Sequence, residues 1–176
     1  MRESHFVMSI DPKGSMDVDD ALSVLPLKNG NTLLGVHIAD VSAFVKDGSD
    51  TDAEAKDRST SVYLSDRRIN MLPVLLSEEL CSLRGGVDRF AFSVLIEVRP
   101  DGTVVKAEFA PSIIRSAAQL YYEQAQAIID GVPPPGDLGA SPDVLFVATD
   151  HSALDAAFIR IAREPLCRLR DTAHAL

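Results

Sequence analysis

Four aspartates set directly behind a short apolar run, Asp11, Asp17, Asp19 and Asp20, constrain this chain more than any other feature. Residues 6–10 (FVMSI) are apolar and read as a buried strand. Asp11 ends that strand, where a solvated charge is not ordinarily placed. The motif IDPKGSMDVDDA then brings in three further carboxylates. Like charges at such spacing repel. They stay ionised together at neutral pH only when cations neutralise them, and Mg²⁺ takes oxygen ligands of this kind. If residues 17–20 are extended, Asp17 and Asp19 share a face and Asp20 points away. A loop from Asp11 can return its carboxylate to that group. On these residues alone, a solvated acidic turn stands as an equal alternative. A calcium loop does not fit. Counted from Asp11 it puts Lys13 third and Leu22 twelfth, where a Glu is needed, and counted from Asp17 it puts Ala21 at a ligand position.

The rest of the chain reads as strands first and helices later. Residues 21–27 and 32–39 form a hairpin about the turn Lys28-Asn29-Gly30-Asn31. Asp50 or Thr51 caps a short helix over 52–57. Residues 62–64 are a short apolar patch, and 76–83 form one or two helical turns. Residues 90–98 and 104–109 flank Pro100-Asp101-Gly102-Thr103, a second hairpin, whose second strand 111–116 extends. Residues 119–130 read as a helix, with Tyr122, Ala125, Ile128 and Ile129 at helical spacing. Residues 131–145, opening GVPPPGD, are a Pro/Gly-rich loop. From Ser152 on the pattern is helical, with a break at Pro165. The predicted class is α+β, mainly an antiparallel sheet with helices packed on one side.

Charge complicates any nucleic-acid role. The net charge is −9, from 26 acidic and 17 basic residues, so a broad phosphate-tracking surface is not expected. A narrow site, where carboxylates hold metal ions against a phosphate, still fits. No apolar run nears the roughly 20 residues that span a bilayer, and the N-terminus does not read as a signal peptide. Of the two cysteines, Cys81 lies in an apolar stretch and reads as a buried thiol, and Cys167 forms no metal-spaced cluster with it. A reducing compartment is expected, the cytoplasm first and the nucleus second.

IDPKGSMDVDDAL resembles the active-site signature of the RNase II/RNase R (RNB) family, an Asp followed after five residues by Asp-x-Asp-Asp. Three further stretches resemble the family in the same order: GVHIADVSAFV from Gly35, TSVYLSDRRINMLPVLLSEELCSL from Thr60, and VDRFAFSVLIEV from Val87. SIIRSAAQLYYEQAQAII, from Ser112, resembles the segment after them. Pro12 and the YEQAQ segment lean to the eukaryotic exosome-type branch. The final CRLRDTAHAL departs from the family, with His174 where relatives have Gly.

The resemblance implies residues 1–176 as the N-terminal part of one RNB catalytic domain, incomplete and inactive alone. It implies a Mg²⁺-dependent hydrolytic 3′→5′ exoribonuclease that acts on single-stranded RNA and releases nucleoside 5′-monophosphates. Exosome-type complexes are the implied partners, with no membrane. Asp11, Asp17 and Asp20 would hold the metal, and Asp19 would be most critical for the chemical step. Tyr63 would stack the last nucleotide of the RNA 3′ end. Lys13, inside the acidic loop, would offset charge or meet a phosphate. The alternative is a catalytically inactive RNA-binding or scaffold relative that keeps the fold. Among other polar residues, His37 is expected as a hydrogen-bonded core histidine and Asp40 as a turn or capping residue. Arg67 and Arg68 read as surface arginines within reach of phosphate.

Overall fold

The computed structural model describes residues 5–133 and 135–136. Its centre is a six-stranded sheet of β1 (Val7–Asp11), β2 (Asp20–Pro26), β3 (Thr32–Ala39), β6 (Asp88–Val98), β7 (Val104–Arg115) and β8 (Ala118–Tyr121). The strand order is β7-β6-β3-β2-β1-β8, antiparallel throughout except between β1 and β8, which run parallel. The two-stranded hairpin β4 (Val62–Tyr63) and β5 (Arg68–Ile69) stands apart. Helix α1 (Asp50–Arg58) and helix α2 (Tyr122–Ile129) complete the regular structure. One wide helical turn, Leu75–Leu80, closes with a bond from Cys81 N to the Leu76 carbonyl five residues back.

Both expected hairpins are present, the α+β class holds, and the extension of β7 runs to Arg115. Two expectations need correction. Residues 118–121 are not helical but form β8, because Ala118 and Leu120 are buried while Gln119 between them is exposed. That alternation is a strand's, and β8 adds to the free edge of β1 in register Met8–Ala118 to Asp11–Tyr121. The helix begins only at Tyr122, where the Gln124 side chain accepts from Tyr121 N. Helix α1 is capped by Ser49, not by Asp50 or Thr51. The Ser49 hydroxyl accepts from Asp52 N, which leaves Asp50 and Asp52 in the first turn against the positive end of the helix. The loop 131–145 and the helical pattern from Ser152 lie almost wholly outside the described residues.

The two faces of the sheet differ. On one, Met8, Ala118 and Leu120 pack with Ile128 of α2, joined by Phe6 and Ile10. The same face continues across β3, β6 and β7, where the neighbours Ile38 and Phe92, and Phe90 and Ile113, are all exposed, as is Phe109 opposite Val94. Phe44 meets the Phe90 ring edge-on at 5.8 Å. On the other face, Val7, Ala21, Ala91 and Ile114 lie under Val18 and Leu83, which come from loops.

Beside that apolar group runs a polar stack. His37 is fully buried. Its ring nitrogens meet the Ser23 hydroxyl at 2.9 Å and the Ser93 hydroxyl at 2.6 Å, and Ser93 continues to Ser112 at 2.6 Å. This is the core histidine expected from the sequence. Burial pushes its pKa down to about 4, so it stays neutral, with one nitrogen donating and the other accepting. Gly35 makes room for the stack, because a β-carbon there would sit 2.2 Å from Ser23 Oγ and 2.8 Å from His37 Nε2.

Gly35→Ala is therefore expected to destabilise the fold by about 1–3 kcal/mol, the usual range for overpacking a closed core. Urea denaturation followed by circular dichroism measures this. An unchanged midpoint would show that Ser23 and His37 yield without cost.

Candidate active site

The acidic residues are placed by the two strands that flank them and by one buried side chain between them. Asp11 is the last residue of β1 and Asp20 the first of β2. The loop turns at Pro12-Lys13-Gly14-Ser15, where Ser15 N and Ser15 Oγ both donate to the Pro12 carbonyl and Gly14 takes a φ of 87°. Val18 is fully buried. Its amide donates to Ser82 Oγ at 3.0 Å, and its carbonyl accepts from Leu83 N at 2.8 Å. Ser82 Oγ in turn donates to the Met16 carbonyl. With Val18 turned inward, Asp17 and Asp19 on either side of it point outward, the shared face expected of an extended segment. The Asp19 carbonyl accepts from Ala39 N at 2.9 Å.

The electrostatics show that all four carboxyls share one neighbourhood. The Asp11 carboxyl is raised above its ordinary range, first by burial. Ser9 opposes the shift, and the charges of Asp20, Asp19 and Asp17 add to it. Asp19 is also raised, first by loss of water around its carboxyl and then by Asp17 and Asp20, while Arg68 pulls the other way. Asp11 Oδ2 is buried without a hydrogen-bond partner. A carboxylate oxygen left so is costly, and a cation is the partner its charge calls for. Among the described residues no three His, Cys, Asp or Glu side chains stand close enough to cage an ion unaided. Mg²⁺ rarely needs such a cage, since it keeps waters and binds through one or two carboxylates plus substrate phosphate. The donor set therefore fits Mg²⁺.

Other expected residues gather unequally about this group. Tyr63 is 70% exposed, and its hydroxyl donates to Asp17 Oδ2 at 3.4 Å. Lys13 stands over the Tyr121 ring, with Nζ 5.5 Å from the ring centre. Asp40 opens the short turn Val41–Ala43 and accepts from Ser42 Oγ at 2.6 Å, as expected. Cys81 is a buried free thiol, also as expected. The sequence reading did not foresee the pairing of Arg68, whose Nη1 meets Asp17 Oδ2 at 2.7 Å while Nη2 contacts Glu78. Arg67 instead lies on the exposed surface beside Asp66.

Comparison with known proteins follows the same lines. The sequence profile of the RNB domain matches residues 2–163. The chain is 54% identical over 124 residues to the exosome complex exonuclease RRP44 homolog A of Arabidopsis thaliana, covering 70% of this chain and 13% of that protein. It is 52% identical over 125 residues to the inactive exonuclease DIS3L2 of the same organism, covering 71% and 12%. RNase R of Mycoplasma genitalium, solved with double-stranded RNA, superposes with a TM-score of 0.73 at 28% identity, covering 90% of this chain and 26% of that one. The chain thus spans roughly an eighth of the length of the curated relatives it matches.

Raised carboxyl pKa values carry a sign for stability. The folded protein holds these protons more tightly than the unfolded chain. Stability from this term is greatest below the ordinary carboxylate range and falls as pH rises through the raised values. Asp19→Asn is thus expected to raise the melting temperature of the metal-free chain at pH 7. The gain should shrink toward about pH 3, below the ordinary aspartate range, where the aspartates are largely protonated in both states. Thermal melts in EDTA at both pH values measure it, and a variant that melts lower at pH 7 would show that the repulsion is not felt.

Proposed function

This chain belongs to the RNB domain family, and from that premise we propose that it is the N-terminal part of the catalytic domain of a Mg²⁺-dependent hydrolytic 3′→5′ exoribonuclease. The substrate is single-stranded RNA, and the products are nucleoside 5′-monophosphates. The observation that carries the reading is a juxtaposition. Four carboxylates, one with a buried oxygen lacking a partner, sit beside an aromatic ring left mostly open to solvent. Next to a cation site, an open ring suits a base, because every base has a face to stack on.

Asp11, Asp17 and Asp20 are the carboxylates proposed to meet Mg²⁺, one or two of them holding it together with water and substrate phosphate, and when bound it would screen the phosphodiester and lower the pKa of an attacking water. Asp19, fixed through its backbone to Ala39, has a carboxyl made more basic than usual and is suited to take a proton from that water. Attack at phosphorus breaks the bond to the 3′ oxygen of the preceding nucleotide. The leaving oxygen takes up a proton from solvent water, and the terminal nucleotide departs with its 5′ phosphate. Tyr63 holds the base of that nucleotide, and Lys13 offsets charge at the mouth of the acidic loop. Contacts to ribose 2′-OH groups would separate RNA from DNA.

The −9 charge opposes RNA approach. We assign the basic lining of the RNA path to other parts of a longer protein, and residues 1–176 alone to an incomplete, inactive piece. Similarity to RRP44 supports an exosome-type complex as partner. No helix among the described residues is long and apolar enough to cross a membrane. The buried free thiol fits a reducing compartment, and we place the protein in the cytoplasm or nucleus. The second reading, an inactive relative of the same fold, is favoured by one observation, the 52% identity to an exonuclease named inactive. Overall identity does not separate the two readings. The presence of all four aspartates favours the enzyme.

In a full-length protein carrying this segment, Asp19→Asn is expected to abolish hydrolysis and leave RNA affinity within a few-fold. Single-turnover cleavage and gel shifts on the same preparation test it, and cleavage at about a tenth of the normal rate or better would overturn the assignment. Tyr63→Ala should change the length of the last undegraded oligonucleotide, since one lost stack costs about 1–3 kcal/mol per base and short products have few other contacts. An unchanged product ladder on a homopolymer would make Tyr63 a surface residue without a part in binding.

A further inference from the structure

The hairpin that carries Tyr63 has little apolar anchorage. Val62, Leu64 and Ile69 are each more than two-fifths exposed. Polar ties place it instead. Met71 N donates to Ser61 Oγ at 2.9 Å, and Arg58 Nη1 donates to the Asn70 carbonyl at 2.7 Å. Arg68 provides the tie to the acidic group. It is Tyr63's direct partner in the hairpin register, and its guanidinium lies 5.8 Å from the centre of the Tyr63 ring. One arm of its fork holds Asp17 at 2.7 Å, and the other contacts Glu78 on the wide turn Leu75–Leu80. Asn70 Nδ2 also reaches Glu78, at 3.5 Å. All three members of the Asp17–Arg68–Glu78 chain keep roughly a fifth to a quarter of their side-chain surface exposed.

The planar fork of an arginine can serve two carboxylates at once and can stack on a ring, which a lysine cannot do in the same geometry. Arg68 therefore occupies one carboxylate of the acidic group while touching the aromatic ring beside it. We propose that Arg68 is a positioning residue, the internal counter-ion of Asp17, which couples the cation site to the placement of Tyr63. A divalent cation at Asp17 competes with Arg68 for the same oxygen. Arg68 then falls back on its second seat, Glu78, and the ring resting against it shifts toward the position that receives a base. The inference rests on the reading of Asp17 as a cation ligand.

The test uses residues 1–176 with Mg²⁺ alone, by isothermal titration calorimetry. Removing the competing charge in Arg68→Gln is expected to tighten Mg²⁺ binding by about two- to fivefold, the range set by a part-exposed ion pair. Arg68→Lys keeps the charge and should stay near wild type. Glu78→Gln removes the second seat, leaves Arg68 on Asp17 and should weaken binding by a similar factor. In parallel, the ring resonances of Tyr63 should shift on adding Mg²⁺ to the wild type and stay still in Arg68→Gln. Equal Mg²⁺ affinity across the variants, or an unchanged Tyr63 response in Arg68→Gln, overturns the coupling and leaves the cation site intact. Absence of Mg²⁺ binding in the wild type and every variant overturns the cation site itself, and the coupling with it. If Arg68→Gln does not fold, the unchanged affinity expected of Arg68→Lys beside the weakened affinity expected of Glu78→Gln still decides.

Discussion

The burial of Val18 is the contact on which the site depends. It fills the space over Val7, Ala21, Ala91 and Ile114 together with Leu83. Its amide donates to Ser82 Oγ and its carbonyl accepts from Leu83 N, which fixes the backbone on both sides of the residue. A segment anchored by one inward side chain has little choice about its neighbours, and here they are Asp17 and Asp19. The cost of crowding carboxylates is thus met by an apolar contact on the opposite side of the same three residues. Segment 81–83, distant in sequence, becomes part of the scaffold of the acidic loop.

Much of this was legible in the sequence because it is local. The hairpin about Asn29-Gly30 and the one about Asp101-Gly102 announce themselves by turn residues between apolar strands. The aspartates lie within one short motif, so their proximity needs no long-range knowledge. Residues 118–121 misled because a four-residue alternation runs straight into the helical spacing of Tyr122–Ile129, and only the free edge of β1 decides between them. The sequence alone does not single out Ser49 as the cap, because Asp50 and Thr51 are also good capping types and the choice lies in backbone angles. Arg68 lies 51 residues from Asp17, and nothing in RRIN marks which arginine turns inward.

The core beneath the site is unusual in being partly polar. His37, Ser23, Ser93 and Ser112 form one hydrogen-bonded chain across the sheet, with Gly35 as the gap that admits it. A fully paired polar chain resists slippage of strand register, since a slip of one residue would unpair every member and turn it to the other face. β2, which begins with Asp20, is thereby fixed against β3 and β6, and β1, which ends with Asp11, is set by its own backbone pairing with β2.

The lone oxygen of Asp11, at the buried end of β1, has a consequence for how such a chain drifts over generations. Exchange of Asp11 or Asp19 for a neutral residue relieves repulsion, and at Asp11 it also spares a buried charge. Loss of these carboxylates is thus the direction in which selection for folding alone would carry a lineage. Relatives that have abandoned the reaction are the expected residue of that slope, and an exonuclease named inactive stands among those similar to this chain. This sequence still holds Asp11, Asp17, Asp19 and Asp20 together, a set that random substitution by itself erodes.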